Sequence, residues 1–111
     1  MPDDLRKRLE LQLDNPELYV PLLEGPPVTR GMRSGRVRLD PGEEAGVHST
    51  KAHEEIVIIL EGTGTFSREG DDALEVSTGQ AVYVPPHTVH NVTNESDAVL
   101  KYVYVVAPVA D

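Results

Sequence analysis

The feature that most limits how this chain can fold is a texture that begins at Arg33: short apolar runs cut at intervals of roughly ten residues by Gly, Pro or acidic turn clusters. The runs place strands near residues 34–39, 45–49, 55–60, 64–68, 73–76, 81–84, 87–92 and 98–107. Between them stand Asp40-Pro41-Gly42, Glu61-Gly62-Thr63-Gly64, Glu69-Gly70-Asp71-Asp72, Ser77-Thr78-Gly79 and Asn94-Glu95-Ser96-Asp97, all rich in residues that favour turns. Eight short strands with no helix between them predict an all-β antiparallel sandwich or barrel. At 111 residues the chain has room for one core and one site.

Residues 1–33 read as a segment that packs on a barrel formed by 34–111. Leu5, Leu9 and Leu13 recur every four residues behind Asp3 or Asp4 as N-cap, which predicts a short helix, while Leu9, Leu11 and Leu13 also alternate as in an extra edge strand. Pro16 and the stretch PLLEGPP from Pro21 then predict an ordered loop that packs Leu18, Tyr19, Val20, Leu22 and Leu23 against the body. At the other end, AVLKYVYVVA is apolar on both faces. With Lys101 outward, Val99, Val103 and Val105 share the outer face and Leu100, Tyr102, Tyr104 and Val106 face in. So much valine on the outside of a small protein calls for a cover, and a homodimer is the expected one.

Charge narrows the partners. Nineteen Asp and Glu against ten Lys and Arg give a net charge of −9, which removes any electrostatic drive toward nucleic acid or an anionic membrane. Without cysteine there is no disulfide, no thiolate nucleophile and no thiolate metal site, so a bound metal must be held by nitrogen and oxygen. Charges occupy the N-terminus where a signal peptide would be apolar, and no apolar run approaches the ~18 residues of a membrane span. A cytoplasmic protein is expected.

Two stretches carry the chemistry. GEEAGVHSTKAHEEIVIILEG, Gly42 to Gly62, offers His48 and, seven residues on, Glu55 at the start of an apolar run. GQAVYVPPHTVHNVTN, Gly79 to Asn94, offers His87 and His90 after Pro85-Pro86. Imidazoles and a carboxylate on short β-like runs suit a metal site on the inner wall of a small barrel.

These stretches resemble the two motifs of the cupin superfamily of small β-barrels, G-x5-H-x-H-x4-E-x6-G and G-x5-P-x-G-x2-H-x3-N. Eight of ten motif positions match in register, with Thr50 in place of the second histidine and His87 in place of the second motif's internal glycine. The likeness extends over about residues 34–107. It implies an antiparallel cupin, or jelly-roll, barrel in which His48, Glu55 and His90 bind one divalent ion. Two histidines and a carboxylate form the facial triad that holds iron(II) with open positions, and nickel, manganese or zinc fit the same donors. Thr50 is itself a poor ligand. His53 reads as a solvated loop histidine that could replace the missing imidazole, His87 as a rim residue that could enter from its loop or transfer protons. Tyr102 and Tyr104 read as barrel filling, with a ligand-orienting hydroxyl as the alternative.

Members of this superfamily include dioxygenases, sugar-phosphate isomerases and epimerases, and lyases, so the fold does not choose a reaction. The resemblance implies a metal and a small polar molecule in the cavity, handled either by a metal-dependent enzyme of dioxygenase or isomerase type or by a non-catalytic binding or sensor protein. A dimeric scaffold with a vestigial site is the third reading. A phosphate anchor would come from Arg36, Arg38 or Lys101 in the expected strands, or from Arg68 at a hairpin end.

Overall fold

A computed structural model describes Leu13 and residues 17–110. The helix or strand expected over residues 2–15 lies, Leu13 apart, outside the described residues. Nine antiparallel strands among the described residues form two sheets. One runs β1 (Tyr19–Glu24), β2 (Arg33–Leu39), β9 (Leu100–Pro108), β4 (His53–Glu61), β7 (Ala81–Val84), and the other β3 (His48–Ser49), β8 (Val89–Thr93), β5 (Thr63–Arg68), β6 (Leu74–Ser77).

Their inner faces meet in a core of Leu39, Val57, Ile59, Phe66, Val76, Val84, Val92, Leu100 and Tyr102. Alternation along β4 sends Glu55, Val57 and Ile59 inward and Ile56 and Ile58 out. In β9 Leu100 and Tyr102 are buried, as the sequence pattern predicts, but Val103, expected on the exposed outer face, is buried too at 8 % exposure, beside Leu22 and Leu23. Each fully buried Val, Leu or Ile contributes about 1.5–3 kcal/mol, so these rows hold the two sheets together.

Residues 19–24, expected as a loop, form the edge strand β1. Proline cannot donate to a ladder, but Pro21 sits on an edge strand beside an irregularity in register between Pro21 and Leu23, where no ladder bond is lost to it. The stretch expected as a strand over 45–49 is reduced to His48–Ser49, because Gly46 takes φ of 108° and turns the chain just before it. The last strand of the second motif begins at Val89 rather than residue 87, since His87 has φ of 53° and belongs to the preceding turn. Asn94, the motif's final residue, is a buried brace. Its Nδ2 donates to the Leu39 and Ala98 carbonyls at 2.9 and 2.8 Å, and its Oδ1 accepts from the Ser96 amide and hydroxyl.

Candidate metal centre

His48 and His90 are directly opposed across β3 and β8, so their side chains share the inner face of the smaller sheet. The rings lie 4.2 Å apart, tilted by 57°. Glu55 reaches them from β4 in the opposite sheet, and one donor atom from each of the three lies within 4.8 Å of the others. His90 and Glu55 are buried, 2 % and 8 % exposed, whereas His48 is exposed.

Each imidazole is oriented by the carbonyl two residues before it. His48 Nδ1 is 2.7 Å from Gly46 O and His90 Nδ1 is 3.0 Å from Thr88 O. Such contacts place the proton on Nδ1, which leaves both Nε2 lone pairs for an ion. His90 Nε2 is buried with no hydrogen-bond partner. It lies 3.4 Å from Glu55 Oε1, near enough for charge attraction but without the alignment of a hydrogen bond. A buried, unsatisfied ring nitrogen aimed at a carboxylate and a second imidazole fits a first-row divalent ion. Burial opposes charge on His90, yet its contacts with Glu55 and Thr88 and the charge of Glu55 outweigh this and raise its pKa above the usual 6.5.

Thr50 stands outside the group. Its hydroxyl donates to Pro85 O at 2.7 Å and accepts from the Thr88 amide at 3.0 Å, while its own amide donates to Thr88 O. It therefore ties down the carbonyl that orients His90. His53, at the start of β4, lines a cavity beside His48 but is not among the convergent donors. His87 is exposed and lines a separate surface hollow with Arg68 and Asp71.

The triad opens on a cavity of about 420 Å³ whose wall includes Tyr19, Val37, Tyr102 and Tyr104. Burial, followed by the charge of Glu55, raises the Tyr102 pKa; burial and the hydrogen bond with Tyr19 do the same for Tyr104. Both phenols keep their protons at neutral pH. Tyr19, expected to pack against the body, stacks on Tyr104 with hydroxyls 2.7 Å apart. Two hydroxyls sharing one hydrogen bond leave one O–H for a ligand. The available signal was Gly35, a glycine inside a strand: a Cβ there would sit 2.6 Å from Tyr19 and 2.9 Å from Tyr104.

Comparison with known proteins agrees with this architecture. The family model described as the cupin domain matches residues 35–106. The chain belongs to the cupin family. Over 60 residues it is 35 % identical to an uncharacterized protein of Methanocaldococcus jannaschii, a match covering 54 % of this chain and 47 % of that one, so the chain spans about half the length of the curated relative it matches. Among solved structures, a Cupin 2 conserved barrel domain protein of Salinispora arenicola is 27 % identical, with TM-score 0.71 over 90 % of this chain and 82 % of that one. A predicted oxalate decarboxylase of Thermotoga maritima is 25 % identical, with TM-score 0.66 over 69 % and 66 % of the two chains. In this cupin no helix among the described residues is long and apolar enough to cross a membrane.

Proposed function

We propose that this cupin holds one divalent first-row ion, iron, nickel, manganese or zinc, on His48, Glu55 and His90 and acts as a metal-dependent enzyme on a small polar molecule in the barrel cavity. The observation that carries the reading is the buried, unpartnered Nε2 of His90 facing His48 and Glu55. An ion bound there would supply Lewis-acid polarisation and, for iron, oxygen chemistry of the dioxygenase type. Around it the chain's own groups are suited to bind and orient. The remaining O–H of the Tyr19 and Tyr104 pair donates to a ligand oxygen, and Val37, Leu39 and Val92 give the cavity an apolar stretch of wall. Likeness to a predicted oxalate decarboxylase supports a small carboxylate as one substrate type, and an isomerase acting on a sugar or its phosphate uses the same donors.

Thr50 favours a second reading, a non-catalytic binding or sensor protein, since its hydroxyl cannot serve as a fourth ligand while it braces Thr88. Elemental analysis of untagged protein purified without chelator tests the metal. Oxygen uptake by the iron-loaded protein and product analysis with small carboxylates and aldoses then separate turnover from binding. A metal-free chain that reloads with none of the four ions would sink the proposal.

Cytoplasmic location and a homodimer belong to the same proposal. Ile56, Ile58 and Tyr83 stand 37–55 % exposed on the outer face of the larger sheet, close to Val103 and Val105 of β9. A second copy is the cover we assign to this face, and a mass near 12 kDa in light scattering would refute it.

A further inference from the structure

The triad has a second opening. A cavity of about 460 Å³ is lined by His48 and Glu55 on its inner side and by Arg33, Lys51, His53 and Ser49 toward solvent. Arg33 and Glu55 are placed in one row of the larger sheet, Arg33 opposite Val106 and Val106 opposite Glu55, so both side chains project from the same inner face. Two strand spacings separate them by roughly 10 Å at the backbone, a gap that a small molecule and an arginine side chain fill together. Lys51 approaches from the turn after β3. Its backbone is held at φ of 53° by its own amide, which donates to Ser49 Oγ at 3.0 Å, and by the His87 amide, which donates to its carbonyl at 2.8 Å.

Neither cation is neutralised. Among the described residues no carboxylate forms an ion pair with Arg33 or Lys51. Glu24 is opposite Arg33 in register but is exposed and makes no ion pair with it. The basic residues expected as anchors are engaged elsewhere: Arg38 pairs with Asp40 at 2.9 Å, Lys101 lies 3.9 Å from Glu61, Arg68 pairs with Asp71, and buried Arg36 donates to the Glu17 carbonyl. On a chain of net charge −9, two uncompensated cations at one mouth form a local positive field where the surroundings repel anions.

We infer that Arg33 and Lys51 make this mouth the binding subsite for an oxyanion, the carboxylate or phosphate group of a small substrate whose other end lies at His48, Glu55 and His90. This deepens the metal reading and rests on it. Arg33 presents a planar fork suited to a two-oxygen acceptor, and Lys51 adds a point charge from the turn after β3.

The test titrates malonate and methyl phosphate by calorimetry into zinc-loaded wild type, Arg33→Gln, Lys51→Gln and, as control, Lys101→Gln, with zinc content and melting curves for each. At least one probe binds wild type, weakens roughly tenfold in each of the first two variants and with rising salt, and stays within about twofold in Lys101→Gln. Charge-keeping Arg33→Lys and Lys51→Arg restore most of the affinity. The tighter probe identifies the anion as carboxylate or phosphate. Stoichiometric zinc with anion binding absent, or unchanged in Arg33→Gln and Lys51→Gln, overturns the inference and leaves the metal centre standing. If wild type holds iron, nickel or manganese but not zinc, the titrations are run on that form; if it holds none of the four ions, the metal reading falls instead. The same titrations of the metal-free chain then support the anion subsite when affinity depends on Arg33 and Lys51, and overturn it when it does not.

Discussion

His48 and His90 are cross-strand neighbours oriented by the same device, yet the fold holds them differently. His90 sits in β8, between β3 and β5, buried and stacked 5.8 Å from Phe66. His48 opens a two-residue edge strand, is exposed, and takes its orienting carbonyl from Gly46 in a left-handed turn. Two imidazoles alike in chemistry are thus uneven in preorganisation: one is part of the packed wall, the other is carried on an edge that local opening can reach.

The largest effect tests that inequality. His90→Ala is expected to abolish stoichiometric metal, weakening affinity by about a thousandfold or more, because it removes the buried donor and takes from buried Glu55 the imidazole beside it. A β-type circular dichroism spectrum must persist for the reading to hold. His48→Ala is expected to cost less, roughly 10–100-fold, since water reaches the exposed position and takes the vacant place. Equal losses in elemental analysis would break the comparison. His53→Ala should leave metal content unchanged.

Thr50→Ala sharpens the same contrast from the side. It strips the Thr88 amide and the Pro85 carbonyl of their partner, costs about 1–3 kcal/mol of stability, and loosens the carbonyl that aims His90. Metal affinity should fall by about tenfold. Thr50→Ser, which keeps the hydroxyl, should recover most of it. A Ser variant as weak as Ala would mean that the brace is not what matters.

Acidity acts on the buried partner. The pKa of His90 is raised, so in the metal-free protein its charged contact with Glu55 stabilises the fold below the ordinary 6.5 and is lost as pH rises through the raised value. Metal binding runs the other way, because the ion needs the neutral ring. Affinity should therefore begin to fall at a pH above 6.5, by up to about tenfold per pH unit for one displaced proton, and the melting gap between loaded and empty protein should widen from acid to neutral pH. Melting curves of both forms at several pH values check this; a gap independent of pH would remove His90 from the ligand set.

Much of this is legible in the sequence. Period-two alternation places Leu100 and Tyr102 inside, because the strand period leaves little choice once one face is buried, although Val103, on the opposite face, is buried as well. Motif spacing singled out His48, Glu55 and His90, and the fold brings them within 4.8 Å. What spacing could not reveal depends on contacts between distant segments. Tyr19 and Arg33 lie before or at the edge of the expected barrel, and Pro21 hid the strand that carries Tyr19. Arg33 and Lys51 become one mouth only when β2, β4 and the turn after β3 are side by side. Thr50 read as a missing ligand because the hydroxyl's partners, Pro85 and Thr88, are 35 and 38 residues away.

The smallest effect belongs to His87, the other departure from the motif. With φ of 53° it occupies a conformation in which a Cβ crowds the following carbonyl, at a cost of roughly 1–2 kcal/mol, and this is why the motif has glycine there. His87→Gly removes that strain but adds about 0.5–1 kcal/mol of backbone entropy to be lost on folding. These two backbone contributions nearly cancel, so a shift beyond about 1 kcal/mol in urea titration measures the contacts of the imidazole itself. The backbone contact that matters, the His87 amide to the Lys51 carbonyl, survives the change because it needs no side chain. Metal affinity should therefore match wild type, in contrast to Thr50→Ala on the opposite side of the same junction. A large loss of metal in His87→Gly would show that its imidazole reaches the centre, and the division between a buried anchor and an edge ligand would have to admit a third histidine.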